Sequence, residues 1–129
     1  MRVLTHTDVD TLLDVRTCFL AVEDAFRQRA LGRPAPSGLL GVHVGNGGFH
    51  AKAAMLHLSR PWFAAKVNAN FPGNPEASGL PTIQGVLILF DASCGLPLAV
   101  MDAAAITTLR TAAATAVAAA RLALPGART

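Results

Sequence analysis

The chain has 129 residues, 52% of them hydrophobic and 15% charged, with 11 Lys and Arg against 8 Asp and Glu. One domain is expected at this length, and the apolar surplus excludes intrinsic disorder as the main state. Glycine and proline are scattered without a period, which excludes collagen-like and low-complexity chains. The charge of +3 is spread singly along the chain with no basic stripe, so no nucleic-acid surface is expected. No signal peptide is visible, because His6, Asp8 and Asp10 interrupt any early apolar run. The apolar stretch from Ala103 to Ala123 carries Arg110, Arg121 and four threonines, which argues against a membrane span and leaves a cytoplasmic protein as the expectation. Cys18 and Cys94 have no metal-ligand spacing and read as two buried free thiols.

Taken in order, the chain opens with helix. Thr7 followed by Asp8 and Asp10 predicts an N-cap with acids in the first turn, and Leu12 and Leu13 supply an apolar patch. A second helix is predicted where Phe19, Val22, Phe26 and Ala30 recur at helical spacing between charges, ended by Gly32 and Pro34. Leu39, Leu40, Val42 and Val44 form a candidate strand, and Asn46-Gly47 is a tight-turn signal. Strands are then expected from Phe49 to Leu58 and from Trp62 to Asn70, with Ser59-Arg60-Pro61 between them. Phe71 to Pro81, rich in Pro and Gly, reads as a loop. The run Ile83 to Asp91 predicts a buried strand, and Ser93-Cys94-Gly95 turns it back into a second strand from Leu96 to Met101. From Ala103 onward alanine fills 11 of 21 positions, which predicts a long helix stopped by Pro125-Gly126. Helices, then strands, then a helix make an α+β class with a mostly antiparallel sheet.

Alternate residues of a strand share a face. His50 and Lys52 therefore point one way on their strand, and Lys66, Asn68 and Asn70 share a face opposite Ala65, Val67 and Ala69. Two explanations remain open: a solvated sheet face, or two lysines converging on an anion. On the last helix Thr107, Arg110, Thr111 and Ala114 fall on one face. Arg110 among small residues calls for a planar anion, either an internal acid or an external carboxylate. Beyond residue 24 the only acids are Glu76, Asp91 and Asp102, which favours the external partner. Gly45-Asn46-Gly47-Gly48 has neither dinucleotide nor P-loop spacing. His43, His50 and His57 cannot all share a strand face, so no metal site is expected.

Four strings occur in order: Gly48-Phe49-His50-Ala51-Lys52, Ala65 to Asn74 (Ala-Lys-Val-Asn-Ala-Asn-Phe-Pro-Gly-Asn), Gly79 to Gly85 (Gly-Leu-Pro-Thr-Ile-Gln-Gly), and Thr107 to Ala114 (Thr-Thr-Leu-Arg-Thr-Ala-Ala-Ala). Together they closely resemble the N-terminal part of the ornithine cyclodeaminase/mu-crystallin family. The resemblance implies that residues 1–129 are a substrate-binding and dimerisation domain whose parent continues into a Rossmann domain. That second domain would carry NAD or NADP and a catalytic aspartate; this chain would bind no cofactor alone.

Residue by residue, Lys66 matches the family lysine beside the substrate, Arg110 the arginine that grips the α-carboxylate, and Thr82 a threonine of the same pocket. An earlier family arginine is not matched, since the region reads Ala35-Pro36-Ser37. His50 and Lys52 are the candidates to replace its contacts, and the departure puts ornithine in doubt as substrate. The implied partners are an amino or imino acid and a second copy of the chain. The implied chemistry is hydride transfer from the amino acid α-carbon to NAD(P)+, followed in cyclising members by loss of ammonia and return of the hydride. Lyases, dehydrogenases and imine reductases all fall in that description. The alternative is a standalone homodimeric carboxylate-binding module without catalysis.

Overall fold

The computed structural model describes residues 1–32, 36–124 and 126. The elements are β1 (Arg2–Leu4), α1 (His6–Leu12), α2 (Val15–Ala30), β2 (Ser37–Val44), β3 (Gly47–His57), β4 (Pro61–Asn70), α3 (Asn74–Ser78), β5 (Ile83–Asp91), β6 (Leu96–Asp102) and α4 (Ala103–Leu122). One six-stranded sheet has the order β1-β6-β5-β4-β3-β2. Strands β2 to β6 form an antiparallel meander, and β1 joins the β6 edge in parallel, with Val3 opposite Val100. The α+β class and mostly antiparallel sheet are as the sequence predicts. Strand β1 is an addition, since three residues are too few to show an alternating pattern.

The helix starts follow capping chemistry. Helix α1 begins two residues earlier than expected, capped by Thr5 and not Thr7. The Asp8 carboxylate reaches back to accept the Thr5 N–H at 2.8 Å while the Thr5 hydroxyl accepts from the Asp8 N–H, a capping box. Asp14 caps α2 by accepting the Thr17 N–H at 2.6 Å. Asp102 caps α4, accepting from Ala104 and Ala105 at 2.9 and 3.1 Å, so strand β6 turns directly into the helix. The Phe71–Pro81 segment is not all loop: Gly73 to Gly79 encloses α3. Pro75 sits in its first turn, where a missing N–H costs nothing, and Gly79 ends it at φ +68°. Pro34 and Pro125, expected to stop α2 and α4, lie outside the described residues.

Helix α4 lies on one face of the sheet, over β5 and β4, with α1 beside it against β6, and α2 packs on α4. The core they enclose is made of small side chains: Val9, Cys18, Ala99, Ala103, Ala105, Ala113 and Val117. Of the expected α2 stripe, Phe19 and Val22 turn partly inward beside the buried Cys18, whereas Phe26 and Ala30 are exposed at the helix margin. Arg121 of α4 donates to Glu23 of α2 at 2.9 Å and ties the two helices together. Helix α4 is long and apolar enough by composition to cross a membrane, but its buried alanines face α2 and the sheet, and it carries Arg110 and Arg121. One thiol departs from expectation: Cys18 is buried, while Cys94 is exposed in the β5–β6 turn.

Among the described residues, no helix packs on the opposite sheet face. Cross-strand register puts Val42, Phe49 and Ala69 in one row, Leu40, Ala51, Val67 and Val86 in the next, then Ala53, Ala65, Ile88 and Val100, then Met55, Phe63 and Phe90. Phe63 and Phe90 meet edge to face with ring centroids 5.8 Å apart. Val67 and Val86, at the centre of this face, stay 42% and 47% exposed. The chain's accessible surface is 8984 Å². A compact monomer of this mass scales to about 6,500 Å². The exposed apolar side chains include Leu40, Val42, Phe49, Val67 and Val86 of this sheet face, a patch that a folded protein does not normally leave in water.

Candidate functional site

The candidate side chains lie on the helix-bearing face, where α4 stops short of the sheet's β2 edge. Register fixes two adjacent cross-sheet rows there. One runs Leu39, Lys52, Lys66, Leu87 from β2 to β5, and the next runs Gly41, His50, Asn68, Gly85. Lys52 and Lys66 are therefore direct cross-strand neighbours, a placement that is destabilising for like charges unless an anion joins them. Helix α4 completes the arrangement. Its Thr107 hydroxyl accepts a hydrogen bond from the Lys66 Nζ at 3.0 Å, and Arg110 follows one turn later on the same helix face.

Two adjoining cavities share Lys52, Lys66, Thr107 and Arg110. The larger, about 580 Å³, extends toward Ser37, Leu39, Ala64, Leu87 and Ile106. The smaller, about 300 Å³, extends past His50 and Asn68 to Asn70 and Ile83. Both are open toward solvent: His50, Lys52 and Arg110 are exposed, and Lys66 is half-buried. The exposure of Arg110 corrects one premise, since solvent relieves the demand for an internal partner that burial would impose. What remains is the charge balance. Among the described residues, Asp91 pairs with Arg60 at 3.1 Å, Glu23 with Arg121, and Asp102 with His6 and the α4 N-terminus. None of the described carboxylates pairs with Lys52, Lys66 or Arg110. Desolvation, with the Arg110 and Lys52 charges beside it, lowers the Lys66 pKa below the ordinary lysine value.

The structure thus brings together Lys66, Arg110, Lys52 and His50. Thr82, just ahead of β5, lines neither cavity; its carbonyl accepts the Phe71 N–H at 2.8 Å. Thr107 is the residue the sequence reading passed over as a site member, although its i, i+3 relation to Arg110 already put both on one face. Asn68 is a second. Its Oδ1 is buried with no hydrogen-bond partner and lies against Gly85, where a side chain would collide with it.

The described residues do not form a dinucleotide cradle. The glycine cluster Gly45 to Gly48 joins two antiparallel strands and opens no helix. The one long helix that follows a strand directly, α4, is capped by an aspartate, which would repel a pyrophosphate. Among the described residues no group of three His, Cys, Asp or Glu is placed to hold a metal.

The whole chain, residues 1–129, matches the ornithine cyclodeaminase/mu-crystallin family. The chain belongs to that family. It is 39% identical to the alanine dehydrogenase of Archaeoglobus fulgidus over 123 residues, covering 94% of this chain and 36% of the relative. The solved structure of an archaeal alanine dehydrogenase dimer with bound NAD superposes with a TM-score of 0.88 at 38% identity, over 98% of this chain and 38% of that one. The iminosuccinate reductase of Paracoccus denitrificans, in complex with NAD+, gives a TM-score of 0.87 at 27% identity, over 99% of this chain and 40% of that one. The chain thus spans well under half the length of the relatives it matches.

Proposed function

We propose that residues 1–129 are the substrate-binding and dimerisation part of an NAD(P)-dependent amino-acid or imino-acid enzyme, a dehydrogenase, imine reductase or cyclodeaminase. The observation that carries the reading is the unbalanced cation set: Lys66, held by Thr107, and Arg110, one turn along α4, line one cavity with no carboxylate beside them. Arg110 presents a planar fork to the substrate α-carboxylate, and Lys66 supplies the second charge. The lowered pKa of Lys66 also fits it to hand over or hold a proton at Nζ next to the reacting carbon. His50 and Lys52 border the rest of the substrate, and Thr82 comes into play when a ligand fills the Ile83 end of the smaller cavity.

NAD in the relatives belongs to their full-length structures, and no dinucleotide site is built from the residues described here. The isolated 129-residue chain is therefore proposed to be catalytically silent. A second copy is proposed to cover the apolar sheet face, as the exposure of Val67 and Val86 and the dimeric relative both favour.

Calorimetry with amino acids, imino acids and their keto analogues tests the carboxylate reading. Binding that is lost in Arg110→Ala supports it, and the absence of binding to any carboxylate overturns it. Affinity should also fall with rising pH sooner than a free lysine would deprotonate, because the charged form of Lys66 binds and its pKa is lowered. The standalone reading, a homodimeric carboxylate-binding module, stands on the lack of a dinucleotide cradle among the described residues. NAD(P)-dependent turnover by the 129-residue chain would exclude both it and the silence.

A further inference from the structure

We infer that the site takes a substrate with two carboxylates: a small dicarboxylic amino or imino acid, its α-carboxylate on Lys66 and Arg110 and its distal carboxylate on Lys52. The inference rests on the carboxylate-site reading above and adds the second charge to it.

The argument is one of charge and position. An α-carboxylate balances one positive charge, and an α-ammonium group adds one back. Lys66 and Arg110 suffice for that carboxylate, Lys66 pinned by Thr107 and Arg110 on the same helix. Lys52 is then surplus. It stands directly across from Lys66 on β3, farther from α4 and toward the β2 edge, and it lines both cavities. Its own strand neighbours on that face are His50 and Ala54, neither an acid, and its β2 partner is Leu39. The described carboxylates that form pairs are spent elsewhere, on Arg60, Arg121, Arg27, His6 and the helix caps.

Adjacent strands stand about 5 Å apart. That is the span between the two carboxyl carbons of a four- or five-carbon diacid to within a flexible lysine's reach. A substrate with an apolar side chain would leave Lys52 facing Lys66 with nothing between them. A substrate with a cationic side chain would add a further positive charge to three. Both arrangements are worse than one in which a second anion bridges the row, since like charges across a strand pair repel.

The test uses the purified full-length protein that contains this chain, with L-aspartate and L-alanine as probes in calorimetry near neutral pH. Aspartate is expected to bind more tightly than alanine by about tenfold, the scale of one added charge-assisted contact. Lys52→Met and Lys52→Gln should each bring that ratio toward one, while Lys52→Arg should keep it. Two variants guard against one that misfolds, and a thermal melt identifies it. An aspartate-to-alanine ratio at or below one, or a ratio untouched by both Lys52 variants, overturns the inference while leaving the carboxylate site standing. Failure of both probes to bind overturns the carboxylate reading itself and the inference with it.

Discussion

Replacing Gly85 by alanine would drive a methyl carbon into the middle of the sheet. An ideal Cβ at that position lies 2.4 Å from the Val67 carbonyl oxygen and 2.5 Å from Asn68 Oδ1, with Asn68 Cα at 3.0 Å. The first of these is backbone of the neighbouring strand and cannot swing away as a side chain does. Relief requires β4 and β5 to part by roughly 0.6 Å or more, or a central strand to twist out of register. Overpacking of this kind costs about 1–3 kcal/mol. Losing a glycine also removes freedom from the unfolded chain, which returns about 0.4–1 kcal/mol. The net loss is about 0.5–2 kcal/mol, or a melting temperature lower by about 2–8 °C for a chain of this size.

Gly38→Ala is the internal comparison. Gly38 lies on edge strand β2, and nothing stands within 4 Å of its ideal Cβ, so only the entropic gain applies. It should melt at or slightly above the parent. Calorimetric melts of the two variants and the parent, at matched protein concentration, read the difference directly. If Gly85→Ala melted within a degree or so of Gly38→Ala, the β4–β5 register and the seating of Asn68 against Gly85 would both be wrong.

Asp102→Ala removes the acceptor for two α4 N–H groups and should cost about 1–2 kcal/mol near neutral pH. Desolvation pushes the Asp102 pKa up, but the Ala105 N–H, His6 and the Ala104 N–H outweigh it and lower the value overall. A depressed carboxyl stabilises the fold fully above the unfolded-state pKa and loses that as pH falls through the folded value, so parent and variant should begin to converge as pH falls below about 4. Val67→Asp, at the centre of the sheet face that the proposed second copy would cover, should turn that proposed dimer into a monomer in light scattering; an unchanged mass would overturn this dimer contact. Within the folded 129-residue chain, iodoacetamide should label once, at exposed Cys94, and reach Cys18 only on unfolding, because burial both shields that thiol and raises its pKa. Intact mass after labelling reads the count, and two labels under native conditions would mean α2 does not pack as described.

Much of this protein is written locally. The apolar run Ile83 to Asp91, the turn at Ser93-Cys94-Gly95 and the alanine block after residue 103 each specify their element through short-range chemistry, and the structure carries all three. The period of two on β3 and β4 also put His50 with Lys52, and Lys66 with Asn68, on common faces before any fold was known. Other features were illegible for reasons that are equally physical. Strand β1 is stabilised by a parallel partner far along the chain, which no local pattern announces. The α1 start turned on whether the acid at the third helical position reached back to Thr5, a matter of side-chain geometry. Prolines that read as loop were compatible with the first turn of α3.

The site divides the same way. Sequence determined which cations exist, how few acids accompany them, and that Thr107 and Arg110 share a helix face. Only the tertiary structure decided that β3 and β4 align Lys52 opposite Lys66, and that α4 crosses the sheet so that Thr107 meets Lys66. It also decided that none of the described acids pairs with these cations. Strand register and helix placement are set by the whole packed layer, and the charge of a site depends on every group that layer brings near it or keeps away.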